Sequence, residues 1–164
     1  MEPTGIEQQL SEPGLPWLGR TGTSWKASEL RALTAASGST LEGMSPKDKR
    51  LLAREHLDAA QNAVMAERLN DAVNALFYAG EAAVVALADQ NEIDTKRHHG
   101  LKADAATEMH TKGVLAEDYG PALRILNQAR KDIWYEGEEP ELNGGLEDLV
   151  VQVEGLVEAA EAGE

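Results

Sequence analysis

Cysteine does not occur in this 164-residue chain, which excludes disulfides, thiolate zinc sites and cysteine nucleophiles. Aromatic residues are scarce, at 4%, so the core cannot rest on large rings. The 25 alanines favour close-packed helices over sheets, being small and the best helix formers. No stretch reaches the eighteen or so consecutive apolar residues of a membrane span, and Met1 to Gly5 opens no basic region followed by an apolar run. The expectation is a soluble cytoplasmic protein with no membrane partner. Neither Gly-x-x-x-x-Gly-Lys nor Gly-x-Gly-x-x-Gly is present, which removes the P-loop and dinucleotide-binding classes.

Basic residues are missing altogether from Glu136 to Glu164, where ten acids fall. That segment carries −10 of the net −14 and leaves nineteen acids against fifteen bases, net −4, in residues 1–135. Phosphate contacts need clustered Lys and Arg, so charge disfavours RNA as a general partner. Most of the repulsion belongs to one end of the chain.

What is present suits one globular domain, with 42% apolar and 27% charged residues. Residues 1–45 form a loop-rich N-terminal extension, broken by Pro3, Pro13, Gly14, Pro16, Gly19, Gly22, Gly38 and Gly43. A short helix from Ser24 to Ala36 fits within it, and Trp17 and Trp25 either dock it or are incidental. Residues 46–160 read as an all-α bundle of four or five helices. Ser45-Pro46-Lys47-Asp48 is a helix start, and that helix runs to about Glu67. The second helix, from Asn70-Asp71 to Gln90, has the widest apolar arc and is expected to be the most buried. A short helix covers Leu101 to His110. A fourth begins around Glu117 to Pro121 and continues through Trp134, and the last carries Leu146 to Ala160.

Arg130 lies one turn after Leu126 and one turn before Ile133 and Trp134. It is either a structural or snorkelling arginine or an anion site at the end of that helix. His98 and His99 follow Lys96 and Arg97 in a polar loop, where they could serve phosphate binding or acid–base work, or simply be solvated. His56 and His110 complete no metal motif, and neither a metal nor another cofactor is expected. Asn74, Tyr78 and Glu81 fall at i, i+4 and i+7 of the second helix, a polar stripe that is a solvated face or an interface with a helix or subunit.

The order of three segments, Asn74-Ala75-Leu76-Phe77-Tyr78-Ala79, Lys96-Arg97-His98-His99-Gly100-Leu101 and Arg130-Lys131-Asp132-Ile133-Trp134-Tyr135, resembles the HEPN domain family. The likeness runs from about 47 to about 158. It implies a helical bundle that commonly dimerises, found in prokaryotic toxin–antitoxin and defence systems beside a nucleotidyltransferase. Active members are metal-independent ribonucleases with an arginine followed after four to six residues by a histidine. Arg130 carries over, but Tyr135 stands where the histidine would, and residues 131–140 contain no histidine. A phenol, ionising near 10 in water, is poorly matched to proton exchange at neutral pH. The chain is therefore expected to act mainly by protein–protein interaction, as a homodimer with Asn74, Tyr78 and Glu81 near the contact. The alternative is a ribonuclease toxin using Arg130 with Tyr135 and His98 or His99.

Overall fold

Ser45 sets the first long helix. In the computed structural model, which describes residues 39–95, 102–137, 139–140, 142 and 145–163, its hydroxyl accepts the Asp48 backbone N–H at 3.1 Å. Pro46 occupies the first turn, where a missing N–H costs nothing. A 3₁₀ turn at Ser39–Gly43 precedes this start. The helices are α1 (Pro46–Met65), α2 (Leu69–Gln90), α3 (Lys102–Thr111), α4 (Gly120–Lys131) and α5 (Gly145–Ala162). Among the described residues there is no strand, in keeping with the all-α expectation. Trp17, Trp25 and the segment from Ser24 to Ala36 lie outside the described residues.

Two glutamates take the left-handed conformation at helix ends, Glu67 at φ 57° after α1 and Glu92 at φ 56° after α2. The turn at Glu67 is short and reverses the chain, with Arg68 N–H bonded to Ala63 O at 2.9 Å. As a result α2 runs back along α1. Lys49 near the start of α1 pairs with Asp89 near the end of α2, and the rings of His56 and Tyr78 meet midway, 5.6 Å between centroids.

Tyr78 apart, every residue from Asp71 to Ala88 is buried. By length and composition alone α2 could cross a membrane, yet its apolar surface is spent on the other helices. Alanine suits this close packing: Ala53 and Ala60 of α1 and Ala72, Ala75, Ala79 and Ala83 of α2 have no exposed surface. Helix α5 lies antiparallel to α1, with Arg54 bonded to Glu161 through Nε at 2.8 Å and Gln61 to Glu154 at 3.5 Å. It is held beside the end of α2 by Gln90 Nε2 donating to Gly163 O at 2.9 Å.

Helix α4 crosses α2 at Gly80, where a Cβ would lie 2.4 Å from Leu123 Cδ2. It starts close to α3 at Gly120, where a Cβ would lie 2.1 Å from Thr107 Oγ1 and 2.8 Å from the Ala103 carbonyl. The expected fourth helix is cut shorter than its apolar spacing suggests. α-Helical bonding ends at Lys131, and Asp132–Glu136 form a π-helical turn closed by Gly137 in the left-handed conformation, its N–H bonded to Asp132 O. The wider turn rotates Ile133, Trp134 and Tyr135 relative to the α-helical register, so the periodicity of the fourth helix misplaces their side chains.

Candidate functional site

Phe77 and Glu81 stand one turn apart on α2 and face α4. Opposite them α4 presents Leu123, Arg124 and Asn127, and the start of α3 closes the gap with Lys102. These residues line a small cleft open to solvent, with about 20 Å³ of enclosed room, little more than one water occupies. Arg124 is tied to Asp104 of α3 at 2.9 Å, which fixes one rim.

Arg130 sits beside this cleft and is shared between two of its lining residues. Its guanidinium carbon lies 4.5 Å from the centroid of the Phe77 ring, a cation–π arrangement worth about 0.5–2 kcal/mol depending on desolvation. Its Nη2 donates to Asn127 Oδ1 at 3.2 Å. The Nε–H is buried without a hydrogen-bond partner among the described residues. The arginine is thus anchored by its face and one edge, with one donor unused.

Glu81 is 6% exposed. Burial pushes its carboxyl above the usual range, opposed by the positive charges of Lys102 and Arg130. The other two members of the polar stripe take separate partners inside the same chain. Asn74 Oδ1 accepts the Trp134 indole N–H at 3.1 Å, and half-buried Tyr78 lies between His56 and Phe77, its ring centroid 5.6 Å from each. His56 is 3% exposed, and burial lowers its pKa to about 4, so it is a neutral imidazole in the core at physiological pH.

Among the residues singled out from sequence, Glu81 lines the cleft and Arg130 sits beside it on Phe77 and Asn127. Asn74 is joined to the π-helical turn, and Tyr135 projects into solvent at 85% exposure. His98 and His99 lie outside the described residues, four and three positions before Lys102. The sequence reading did not select Phe77, Lys102, Arg124 and Asn127. Phe77 and Asn127 were recoverable, since they stand at i−4 from Glu81 and i−3 from Arg130 on their helices. Nothing local marks Lys102 or Arg124, because only the crossing of α3 and α4 brings them to Glu81. No group of three or more His, Asp or Glu side chains that could hold a metal occurs among the described residues.

The HEPN domain family model matches residues 50–162, that is, α2 to α5 in full and α1 from its second turn. No curated protein and no solved structure matches the chain.

Proposed function

The chain belongs to the HEPN domain family, and from that premise we propose that it acts in the cytoplasm mainly through protein–protein contacts. It does so as a homodimer and as one component of a toxin–antitoxin or defence pair, with a nucleotidyltransferase-type protein as the partner that the family resemblance implies. Tyr135 carries this reading. It stands five positions after Arg130, where an active family member has its histidine, and it is 85% exposed beside Trp134, itself 49% exposed. The turn that should present an acid–base group instead presents two aromatic side chains to solvent, a composition suited to a protein contact. The acids that follow Tyr135 are a further obstacle to RNA there.

A second reading, a metal-independent ribonuclease centred on Arg130, is favoured by the unused Arg130 Nε–H beside a cleft. Stabilising a phosphate's developing charge is within reach of that guanidinium. A matched proton acceptor and donor are still required.

The two readings part on mixed RNA incubated without metal. The wild-type protein is expected to leave it uncut, Tyr135→His to restore some cleavage, and Arg130→Ala in that background to remove it. Robust wild-type cleavage that is lost in Arg130→Ala and in the His98/His99 double alanine variant overturns the protein-contact reading. Sedimentation at tens of micromolar is expected to give a dimer, and a monomer there counts against the homodimer.

A further inference from the structure

Six large apolar side chains stand exposed among the described residues, and four of them belong to one end of the bundle. The bonds from Arg54 to Glu161 and from Gln61 to Glu154 set the last turn of α1 beside the first turns of α5. Met65 closes that turn of α1, and Val151 lies in the second turn of α5. The π-helical turn reaches the same end, because the Trp134 indole N–H is bonded to Asn74 in the second turn of α2. It adds Trp134 and Tyr135.

One of these rings is already fixed. Its bond to the buried Asn74 holds one edge of Trp134 while much of the ring stays exposed. A partner that covers it meets a side chain whose rotamer is set, so little freedom is lost on contact. Gly137 closes the turn with nothing within 4 Å of where a Cβ would stand, so the turn ends on open space.

Charge decides what can cover this end. Glu67 at the α1–α2 turn, Glu136 and Glu139 after Tyr135, and Glu147 and Asp148 in the first turn of α5 are all exposed. Against these five acids stand Lys131, exposed at the end of α4, and Arg68, which is paired with Asp71. A second copy would set the same acids against their like. Residues 1–38 hold four acids and three bases, so they bring no net positive charge either. Only a basic partner complements the surface.

We propose that this end of the bundle docks a basic amphipathic segment of another protein, with its apolar side chains on Trp134 and Tyr135 and its Lys or Arg side chains among the surrounding acids. The inference rests on the protein-contact reading and adds the chemistry of the partner. The rings supply the buried area and the acids supply the sign. Truncating a ring therefore lowers affinity most, and removing acids lowers it less and weakens its salt dependence.

The test is fluorescence anisotropy of the full chain with a labelled amphipathic helical peptide of leucine and lysine, beside the same peptide with glutamate for lysine. The lysine peptide should bind roughly tenfold more tightly than its glutamate counterpart. Tyr135→Ser, at a position already in solvent, should weaken the lysine peptide roughly tenfold. Glu136→Gln with Glu139→Gln should weaken it roughly threefold. Glu42→Gln with Glu92→Gln removes the same charge at the opposite end, before α1 and after α2, and should leave affinity unchanged. Equal losses in the two double variants, or no loss in Tyr135→Ser, mark general attraction to an acidic chain and overturn the proposal. Equal binding of both peptides, lost alike in Tyr135→Ser, also overturns it but leaves the protein-contact reading standing. That reading falls instead on robust wild-type cleavage of RNA. Two other occupants are checked separately. Tighter peptide binding by Trp17→Ser with Trp25→Ser would show that residues 1–38 cover this end, and a change of sedimentation in Tyr135→Ser would show that a second copy does. Either result overturns the proposal.

Discussion

The α1–α2–α5 face and the α3–α4 face of this bundle are built from the same alanine-rich helical material and differ in how a buried carboxylate is held. On the first, cations and acids close into pairs: Lys49 with Asp89, Arg54 with Glu161 through two bonds, Arg68 with Asp71. The Arg54–Glu161 pair even shifts both partners, the hydrogen bond raising the arginine and lowering the glutamate. On the second face Arg124 is paired, but Glu81 stays apart from Lys102 and Arg130, and an Arg130 donor is unused. A buried polar group without a partner costs stability. Such atoms also occur on the first face, His56 Nδ1 among them, so what sets the second face apart is the buried carboxylate of Glu81 left out of any ion pair among the described residues.

The strongest way to break this comparison is to damage the scaffold where it is purely apolar. Truncating Leu57, a fully buried residue of α1, to alanine should cost about 2–5 kcal/mol, read as a lower urea midpoint. A loss below about 1 kcal/mol would mean that the α1–α2 seam is not the stable part.

Acid should reach the scaffold through His56. Its folded pKa of about 4 lies below the unfolded value of about 6.5, so the unfolded chain takes up this proton first as pH falls. The stability present above about pH 6.5 is then lost down to about pH 4, by roughly 3 kcal/mol. Urea unfolding across that range should be flatter for His56→Leu than for wild type.

Smaller still is the bond that ties the π-helical turn to α2. Trp134→Phe keeps the ring packing but leaves Asn74 Oδ1 without its indole donor, at a cost of about 1 kcal/mol in the same assay.

The opposite sign is expected at the cleft. Burial disfavours the Glu81 charge, so Glu81→Gln should raise the midpoint at neutral pH and flatten its decline as pH rises through the carboxyl's raised range. A lower midpoint would place Glu81 with the scaffold charges and erase the contrast between the faces.

Much of the architecture was legible before any coordinates. Ser45-Pro46 started α1 as its chemistry requires, the alanine arc marked α2 as the buried helix, and the three segments that carried the family resemblance all fall within the matched range. The break at Lys131 was not legible, because apolar spacing through Trp134 continues the α-helical period and a π-helical turn leaves no local sign in it. The site was readable only in part. Arg130 and Glu81 stood out as polar residues on apolar helices, but spacing along one helix says nothing of what faces it from another.

The sequence by itself determined that the chain is helical, that one helix is apolar nearly all round, and that no histidine follows Arg130 within ten residues. These follow from local propensity, periodicity and residue identity, each carried within a few turns of chain. Only the tertiary structure decided which charges close into pairs and which stay apart. Lys102 and Arg130 act on the Glu81 charge from separate helices, and the close approaches at Gly80 to α4 and at Gly120 to α3 are possible because no side chain stands between the elements there.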